Sequence, residues 1–304
     1  MRNQLPELGT WISGAGLGTF EANAVLSNMT SWDIGGPAEG LCTPFTRQAC
    51  ESILERAAAT GVPVTVLGHG TNVLISDRGV RGLVLCTRRL SDIRMEGTRV
   101  YADAGVSLPN LAVAAAEAGL TGLEFAAGIP GTVGGAVAAN AGAHGREIKD
   151  ALEFVTLWSN RERRVCFAQE LDLRYRRSRL RESREVVLEA CFKLEKGDPG
   201  ESLAKIRQWG RERREKQPLQ YPNGGSVFRN PAEHSAGWYI ERAGLKGASA
   251  GRAQISVKHA NFIVNLGGAK AADVLDLIKQ AQQTVLTKYG EHLETEVVLL
   301  GFDD

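Results

Sequence analysis

The sequence lacks the cysteine patterns that would assign it to a class at once. Its 304 residues hold five cysteines, Cys42, Cys50, Cys86, Cys166 and Cys191, and no two of them have the CxxC spacing. An odd number without that spacing argues against a disulfide framework and against a zinc site. We therefore expect five reduced, mostly structural thiols and no bound metal.

Long apolar runs and an excess of one charge are also missing. Lys and Arg number 36 and Asp and Glu number 35, a net charge of +1, so no overall field attracts nucleic acid or anionic lipid. No stretch approaches the ~18 apolar residues of a membrane span, and the first residues lack the basic-then-apolar pattern of a secretory signal. We expect a cytoplasmic protein that binds neither nucleic acid nor membrane and holds any anionic ligand through a local cluster.

The remaining composition is that of a globular protein, with 43% hydrophobic and 23% charged residues. A chain of this length exceeds the usual size of a single core, which favours two or three lobes. Helical periodicity occurs at 45–60, 108–119, 201–217 and 271–288, and strand-like runs occur at 62–68, 83–87, 99–104, 153–159, 186–194, 261–267 and 296–302. The mixture predicts an α+β fold. Pro218 and Pro222 end the third helix, so we place a domain boundary near them.

Glycine, with 35 residues, is concentrated in four blocks, at 34–38, 67–72, 128–136 and 140–145. Glycine permits close backbone approach, so such loops can direct amide N–H groups at the phosphates of a pyrophosphate-bearing cofactor. The alternative is that the glycines only make tight turns. No GxxxxGK[ST] motif is present, and Val73 replaces the third glycine of GxGxxG. The motifs therefore favour neither an ATPase nor a simple dinucleotide-binding fold.

Several segments occur together in one order along almost the whole chain. They are TSWDIGGPA (30–38), VLGHGTNVLISDRGVRGLVL (66–85), GLEFAAGIPGTVGGAVAANAGAHGREI (122–148), YRRS (175–178), KQPLQYPNGGSVFRNP (216–231), AGLKG (243–247), QISVKHANFIVN (254–265) and LETEV (293–297). This set resembles the UDP-N-acetylenolpyruvoylglucosamine reductases, a family of flavoproteins with a vanillyl-alcohol-oxidase-like FAD domain. The resemblance implies a two-lobed FAD-binding domain, with lobes at 1–90 and 91–204, and a smaller α+β substrate-binding domain at 205–304. The last strand would pack back on the FAD lobes.

By the same resemblance, the first three segments enclose noncovalently bound FAD. Backbone amides would contact its pyrophosphate, with Asn and Ser or Thr side chains nearby. The expected FAD contacts are Ile34, Gly35, Gly36, Gly68, His69, Gly70, Thr71, Asn72, Gly128, Ile129, Gly131, Thr132, Gly134, Gly135, Asn140 and Gly142.

The activity that the resemblance implies is reduction of UDP-N-acetylglucosamine enolpyruvate to UDP-N-acetylmuramate for peptidoglycan synthesis, with NADPH as co-substrate. Ser226 would donate a proton, and Arg176 and Glu296 would stabilise the enolic intermediate. Glu294 is a rival for the carboxylate role, although family register favours Glu296. A serine is a weak acid, so its alkoxide needs a nearby charge or dipole, which Lys216 or a bound water could supply.

The substrate carries a diphosphate, so basic and amide groups should gather in the last domain. The resemblance implies substrate contacts from Lys216, Tyr221, Gly225, Asn230, Lys246 and His259. Tyr221 could stack on the ligand or merely pack, and His259 could equally be a structural histidine.

Three residues depart from the family pattern or raise a question about the flavin. His144 stands where the family commonly has Tyr, Gly224 stands where Ser or Ala is frequent, and His69 lies in the first glycine loop. A histidine links FAD covalently in some of the wider flavoproteins, but the reductase pattern predicts noncovalent FAD here. The short spacing from Ser226 to His259 resembles the compact second type of the family, and we expect a monomer. Two alternatives remain, a different FAD-dependent oxidase and a non-catalytic flavin- or nucleotide-binding protein.

Overall fold

The computed structural model describes residues 4–302. Its α-helices are α1 (Gln4–Gly14), α2 (Arg47–Thr60), α3 (Leu108–Glu117), α4 (Val133–Ala139), α5 (Pro199–Lys216), α6 (Ala236–Arg242) and α7 (Ala271–Tyr289). Its strands are β1 (Gly18–Val25), β2 (Pro37–Pro44), β3 (Val64–Leu67), β4 (Val73–Ile75), β5 (Val80–Cys86), β6 (Ile93–Glu96), β7 (Arg99–Asp103), β8 (Leu120–Thr121), β9 (Gly142–Ala143), β10 (Arg146–Glu147), β11 (Leu152–Ser159), β12 (Glu162–Phe167), β13 (Val186–Lys193), β14 (Glu195–Lys196), β15 (Ser249–Ala250), β16 (Ala253–Ile255), β17 (Ile263–Asn265) and β18 (Val298–Leu300). Short 3₁₀ turns lie at Ser27–Met29, Glu124–Gly128, Ile148–Asp150, Ala168–Leu171 and Arg179–Arg181.

The predicted α+β class is confirmed, and the four helices expected from periodicity are α2, α3, α5 and α7. Helix α2 begins at Arg47, two residues later than predicted, because Thr46 is its N-cap and accepts a hydrogen bond from the Ala49 amide. The last two strands, β17 and β18, are shorter than the apolar runs that contain them.

The chain forms two compact units, each made of three segments. The first comprises 1–22, 40–69 and 82–213, and the second comprises 23–39, 70–81 and 214–304. The division into lobes at 1–90 and 91–204 and a domain at 205–304 stays a prediction, and its terminal residues 1–3 and 303–304 lie outside the described range.

The first unit contains a five-stranded sheet and most of a four-stranded sheet. The order in the five-stranded sheet is β12-β11-β13-β7-β6, with every neighbouring pair antiparallel. The order in the four-stranded sheet is β1-β2-β5-β3, with β3 and β5 parallel. One core, which includes Phe125 and Phe192, packs α3 and α4 with the five-stranded sheet, while a second joins α1 and α2 with β5. Burial of these apolar side chains stabilises the unit.

The second unit is built around helix α7 and a small antiparallel sheet of order β15-β16-β17. The buried residues of α7 recur at spacings of three and four, as in an amphipathic helix with one face on a core. The Asp77 carboxylate accepts hydrogen bonds from the amides of Ala271 and Ala272, at 2.9 and 3.1 Å, and so caps the start of α7. Strand β18 pairs in parallel with β4 of the same unit.

All five cysteines are buried and outside disulfides. Burial, with a smaller contribution from neighbouring acidic groups, raises the pKa of Cys42, Cys50 and Cys191 to about 12. These thiols are therefore poor nucleophiles at neutral pH. Within residues 4–302, no helix is both long and apolar enough to cross a membrane.

Candidate active site

In the first unit, the turn after β3 packs directly on the loop that precedes α4. A Cβ atom on Gly68 would collide with Oγ1 of Thr132, so the two segments meet at a position that excludes any side chain. The Arg88 guanidinium donates to the carbonyl oxygens of Gly68 and His69, at 3.1 and 3.2 Å, and holds the turn in place. The His69 side chain is hydrogen-bonded to the Gly131 backbone. Four of the residues predicted to contact FAD are therefore brought together.

The electrostatics of this turn keep His69 uncharged. Burial lowers the pKa of His69, the nearby Arg88 charge lowers it further, and the hydrogen bond to Gly131 opposes these effects only in part. His69 is therefore neutral near pH 7, and its ring N–H is donated to the Gly131 carbonyl.

Two glycines, Gly128 before α4 and Gly135 in its first turn, have open space where a side chain would begin. A Cβ on Gly128 would meet no described atom within 4 Å, and one on Gly135 would meet only Oγ1 of Thr132, at 3.5 Å. Packing within the unit therefore does not require glycine at either position. Glycine here leaves the backbone open to close approach, which fits the pyrophosphate of FAD. Within the described part of the chain, no group of three or more His, Cys, Asp or Glu residues is arranged to hold a metal ion.

The remaining predicted FAD contacts of the first unit lie around α4. Gly134 packs closely on Ala104, with its amide donating to the Ala104 carbonyl at 2.9 Å, and Ile129 packs partly buried on the core. Asn140 and Gly142 follow the helix, and the guanidinium of Arg176 donates to the Gly142 carbonyl at 2.7 Å. The predicted catalytic arginine is thus hydrogen-bonded to the fourth glycine block, 140–145.

The second unit holds the other six predicted FAD contacts. Gly70 has a φ of 64°, and a Cβ there would collide with the Met29 carbonyl, so no other residue fits. Its own carbonyl accepts a hydrogen bond from the Ser31 amide at 3.1 Å. The Gly36 amide donates to the Ser76 carbonyl at 2.9 Å. These six residues therefore lie in two short segments of this unit, 34–36 and 70–72, and each segment is bonded to residues that flank the other in the chain.

Ser226 and Glu296 lie on backbone segments that are hydrogen-bonded to each other. The Glu296 amide donates to the carbonyl of Val227, the residue after Ser226, at 2.8 Å. The Asn72 side-chain amide donates to the Glu296 carbonyl at 3.3 Å. Asn72, predicted as an FAD contact, therefore also fixes the backbone of the catalytic candidate Glu296.

A buried asparagine that the sequence did not single out secures the same segment. The Asn261 side chain accepts from the Phe228 amide at 2.9 Å and donates to the Phe228 carbonyl at 2.8 Å. The Asn261 carbonyl also accepts from the Val227 amide at 2.9 Å. These three hydrogen bonds pair with the backbone of Val227 and Phe228 as a neighbouring strand would, and they fix the backbone beside Ser226.

The loop before Ser226 is held by Trp32, which explains one departure from the family pattern. A Cβ on Gly224 would lie 2.6 Å from the Trp32 ring, so the indole occupies the volume that a serine or alanine side chain would need. The indole is completely buried and donates to the Ile263 carbonyl at 2.8 Å. Glycine at 224 is therefore required by the position of Trp32.

Glu294, the rival carboxylate, is engaged elsewhere. Its side chain is 73% exposed and forms an ion pair of 3.0 Å with Arg229. Its carbonyl accepts from the Arg229 amide at 2.9 Å. Glu296 is half-buried, which makes it the better candidate for a ligand contact.

Of the predicted substrate contacts, Asn230 and Lys246 lie on either side of α6 in the chain. Lys246 is paired with Glu241 at 2.8 Å, and Asn230 accepts from the Ala236 amide at the start of α6. Burial lowers the pKa of His259, the Lys246 charge lowers it further, and its own backbone opposes the shift in part. Nδ1 of His259 accepts from the Asn261 amide at 3.2 Å, so the neutral ring carries its proton on Nε2. Lys216 and Tyr221 are exposed, and Gly225 has a φ of 78°.

Of the catalytic trio, Arg176 belongs to the first unit, and Ser226 and Glu296 belong to the second.

His144 is stacked on Trp209 of α5, with ring centroids 4.2 Å apart and planes inclined by 10°. This stacking gives His144 a packing partner within its own unit.

Glu124 is a second buried residue whose importance the sequence did not reveal. It lies in the 3₁₀ turn that leads to Gly128 and accepts hydrogen bonds from the hydroxyls of Thr121 and Ser202 and from the Gly122 amide. Burial raises the pKa of Glu124, but these donors outweigh it and lower the pKa to about 2. The carboxylate therefore ties the start of α5 to the turn before the Gly128 loop.

Replacing Glu124 with glutamine is expected to lower the free energy of unfolding by about 1 to 3 kcal/mol at pH 7. Because the folded-state pKa is depressed, the contribution is full above the unfolded pKa of about 4.5 and declines as pH falls toward 2. The difference between the wild type and the variant should therefore narrow by about 1 kcal/mol between pH 7 and pH 4. Urea unfolding at several pH values in this range measures the difference in free energy of unfolding. Glu117→Gln, an exposed change at the end of α3, is the control, and a pH-independent difference for Glu124→Gln would contradict the assignment.

The comparisons with known proteins agree along the chain. Residues 38–163 match the family described as "FAD binding domain", and residues 217–300 match "UDP-N-acetylenolpyruvoylglucosamine reductase, C-terminal domain". A protein named UDP-N-acetylenolpyruvoylglucosamine reductase from Synechococcus sp. is 47% identical over 292 residues, covering 94% of this chain and 93% of the relative. A protein of the same name from Carboxydothermus hydrogenoformans is 44% identical over 283 residues, covering 92% and 93%.

Among solved structures, the crystal structure of UDP-N-acetylenolpyruvylglucosamine reductase from Thermus caldophilus superimposes with a TM-score of 0.80 at 37% identity. The alignment covers 93% of this chain and 98% of that one. These matches confirm the resemblance inferred from the motifs and the predicted architecture, an FAD-binding-type domain followed by a smaller one. The chain belongs to the UDP-N-acetylenolpyruvoylglucosamine reductase family.

Proposed function

We propose that this chain is an FAD-dependent reductase that converts UDP-N-acetylglucosamine enolpyruvate to UDP-N-acetylmuramate, with NADPH as the reductant, in the synthesis of peptidoglycan precursors. Family membership over more than nine-tenths of the chain supports the proposal. The FAD-binding match over 38–163 and the open glycine loop before α4 support the cofactor. The cytoplasmic location and the monomeric state stay predictions.

The reaction adds a hydride and a proton across the carbon–carbon double bond of an enol ether conjugated to a carboxylate. FAD, when bound, would supply hydride-transfer chemistry toward the terminal carbon, with NADPH as the source of the electrons. The electron pair of the double bond then forms an enolate on the carboxylate side, which needs stabilisation before the neighbouring carbon is protonated. The protein must therefore provide a proton donor, groups that steady the enolate and a site for the diphosphate.

Ser226 is the proposed proton donor, and Glu296 and Arg176 are proposed to stabilise the enolic intermediate. The observation that carries this assignment is the hydrogen bond from the Glu296 amide to the Val227 carbonyl, which places Glu296 on the segment adjoining Ser226. Asn72 and Asn261 restrain the backbone of these segments, from which the two side chains project. Preorganisation of this kind lowers the reorganisation cost of charge development.

Lys246 and His259 are the proposed diphosphate contacts. The Lys246 ammonium supplies a positive charge, and the neutral His259 offers the Nε2 proton as a hydrogen-bond donor. Burial and the Lys246 charge both lower the pKa of His259, which favours its neutral form. A cation beside a neutral donor suits an anionic diphosphate, because it adds charge without a second buried cation.

The deciding experiment reduces the purified yellow protein with NADPH under anaerobic conditions and then adds UDP-N-acetylglucosamine enolpyruvate while absorbance near ~450 nm is followed. Rapid return of the oxidised flavin spectrum, with formation of UDP-N-acetylmuramate, is the expected result. If the flavin stayed reduced until oxygen was admitted, the reductase assignment would be wrong and the protein would be assigned as an oxidase. Precipitation with acid tests the noncovalent attachment, because the FAD should then remain in the supernatant.

A further inference from the structure

The Arg176 side chain projects from a tight turn that is closed on itself. The amides and carbonyls of Arg174 and Arg177 are hydrogen-bonded to each other, at 2.9 and 3.0 Å, with Tyr175 and Arg176 at the corner. Arg176 has a φ of 55°, a left-handed conformation that an arginine rarely adopts. Such a conformation persists when the surrounding structure enforces it.

The enforcing contacts come from the end of α4 and the residues that follow it. Ser178, which is buried, donates its hydroxyl to the Ala138 carbonyl at 2.6 Å. The Asn140 side chain donates to the Arg174 carbonyl at 2.9 Å, and the Arg176 guanidinium donates to the Gly142 carbonyl at 2.7 Å. Hydrogen bonds therefore hold the turn at Arg174, at Arg176 and at Ser178.

Asn140 is at the centre of these contacts and is completely buried. Its Nδ2 donates to Oε2 of Glu147 at 3.0 Å in addition to the Arg174 carbonyl, and its Oδ1 accepts from the Lys149 amide at 3.0 Å. Both amide hydrogens and the amide oxygen are therefore used within the chain. The backbone of Asn140 is left-handed, with a φ of 42°, and ends α4.

We propose that Asn140 is a positioning residue for Arg176, and that it acts through the turn 174–177 rather than by contact with FAD. The inference rests on the proposed function, in which Arg176 stabilises the enolic intermediate. Loss of the Asn140 amide would leave the Arg174 carbonyl bonded only within the turn, to the Arg177 amide, and no longer to the end of α4. The turn, and with it the Arg176 guanidinium, could then move away from its place. A displacement of about 1 Å at such a group costs on the order of 100-fold in rate.

Asn140→Gly is the test variant, because glycine keeps the left-handed backbone while it removes the side chain and its three hydrogen bonds. The matched control is Asn160→Gly in the β11–β12 turn, where an exposed asparagine has a φ of 52°. FAD content, the flavin spectrum, reduction by NADPH and reoxidation by substrate are measured separately for each protein. A double-mutant cycle is completed by the single variant Arg176→Ala and by the double variant that combines Asn140→Gly with Arg176→Ala.

In Asn140→Gly we expect wild-type FAD content and reduction by NADPH, with reoxidation by substrate slowed about 10- to 100-fold. The double variant should be no slower than Arg176→Ala alone, because the amide acts through the guanidinium. Loss of FAD, or an altered spectrum of the oxidised protein, would overturn the inference in favour of a cofactor contact. Wild-type reoxidation by Asn140→Gly, or additive losses in the double variant, would also overturn it. Failure of the substrate to reoxidise the wild type would refute the proposed function instead.

Discussion

Ser226→Ala is expected to slow reoxidation of the reduced flavin by substrate about 100- to 10,000-fold, the usual range for loss of a general acid. Reduction by NADPH should be unchanged, because it requires no proton from Ser226. The hydroxyl has no substitute on the same segment, since its neighbours are Gly225 and Val227. Stopped-flow absorbance of the two half-reactions measures the two rates separately.

Ser249→Ala provides the control for this variant. Ser249 is exposed, and its hydroxyl bonds to the Gly247 carbonyl in a surface turn of the same unit, so its removal should leave both rates within about twofold of wild type. Ser226→Cys retains an acidic proton and should recover part of the lost rate. If Ser226→Ala slowed reoxidation of the flavin by substrate less than tenfold, the proton would have to come from another donor.

Glu296→Gln is expected to lower the rate of substrate reduction by about 100- to 1,000-fold, as removal of a preorganised stabilising group commonly does. Glutamine preserves size and leaves the backbone bonds to Val227 and Asn72 in place, so the loss would report on the carboxylate. The chain supplies a matched control two residues away. Glu294→Gln removes an exposed ion pair with Arg229, whose worth is at most about 1 kcal/mol.

The comparison of these two variants decides which carboxylate acts. Steady-state kcat and KM for UDP-N-acetylglucosamine enolpyruvate, with FAD content as a check on folding, are the measurements. We expect Glu294→Gln to remain within about threefold of wild type. The reverse order of effects would move the catalytic role to Glu294 and contradict the register taken from the LETEV segment.

The long elements could be predicted because their signal is local. Helix α7 follows an uninterrupted three-and-four spacing of apolar residues, and β13 coincides with the apolar run 186–194 except at its last residue. Helix α4 was missed because it consists of VGGAVAA, and two glycines disfavour helix in isolation. Thr132 at its start and Asn140 at its end supply the caps that offset this preference.

The site residues were predicted from the family resemblance, which implies roles but not the contacts that support them. Asn261 bonds a residue 33 positions away, Glu124 bonds Ser202 at a distance of 78 positions, and Asp77 caps a helix 194 positions further on. No periodicity or turn preference encodes such pairings, because they arise only when distant segments pack. Burial of an asparagine or glutamate among apolar residues is the nearest signal, and a sequence alone does not report it.

The contact between Trp32 and Gly224 also constrains how this sequence can change over time. A methyl group at 224 meets the indole at 2.6 Å, so a serine or alanine at 224 becomes acceptable only after Trp32 has been replaced by a smaller residue. Replacing Trp32 first leaves a cavity beside Gly224 but no collision, and it removes the hydrogen bond to the Ile263 carbonyl. A mutational path from glycine to serine or alanine at 224 should therefore pass through position 32 first. Melting temperatures of the two single variants and the double variant would reveal that order.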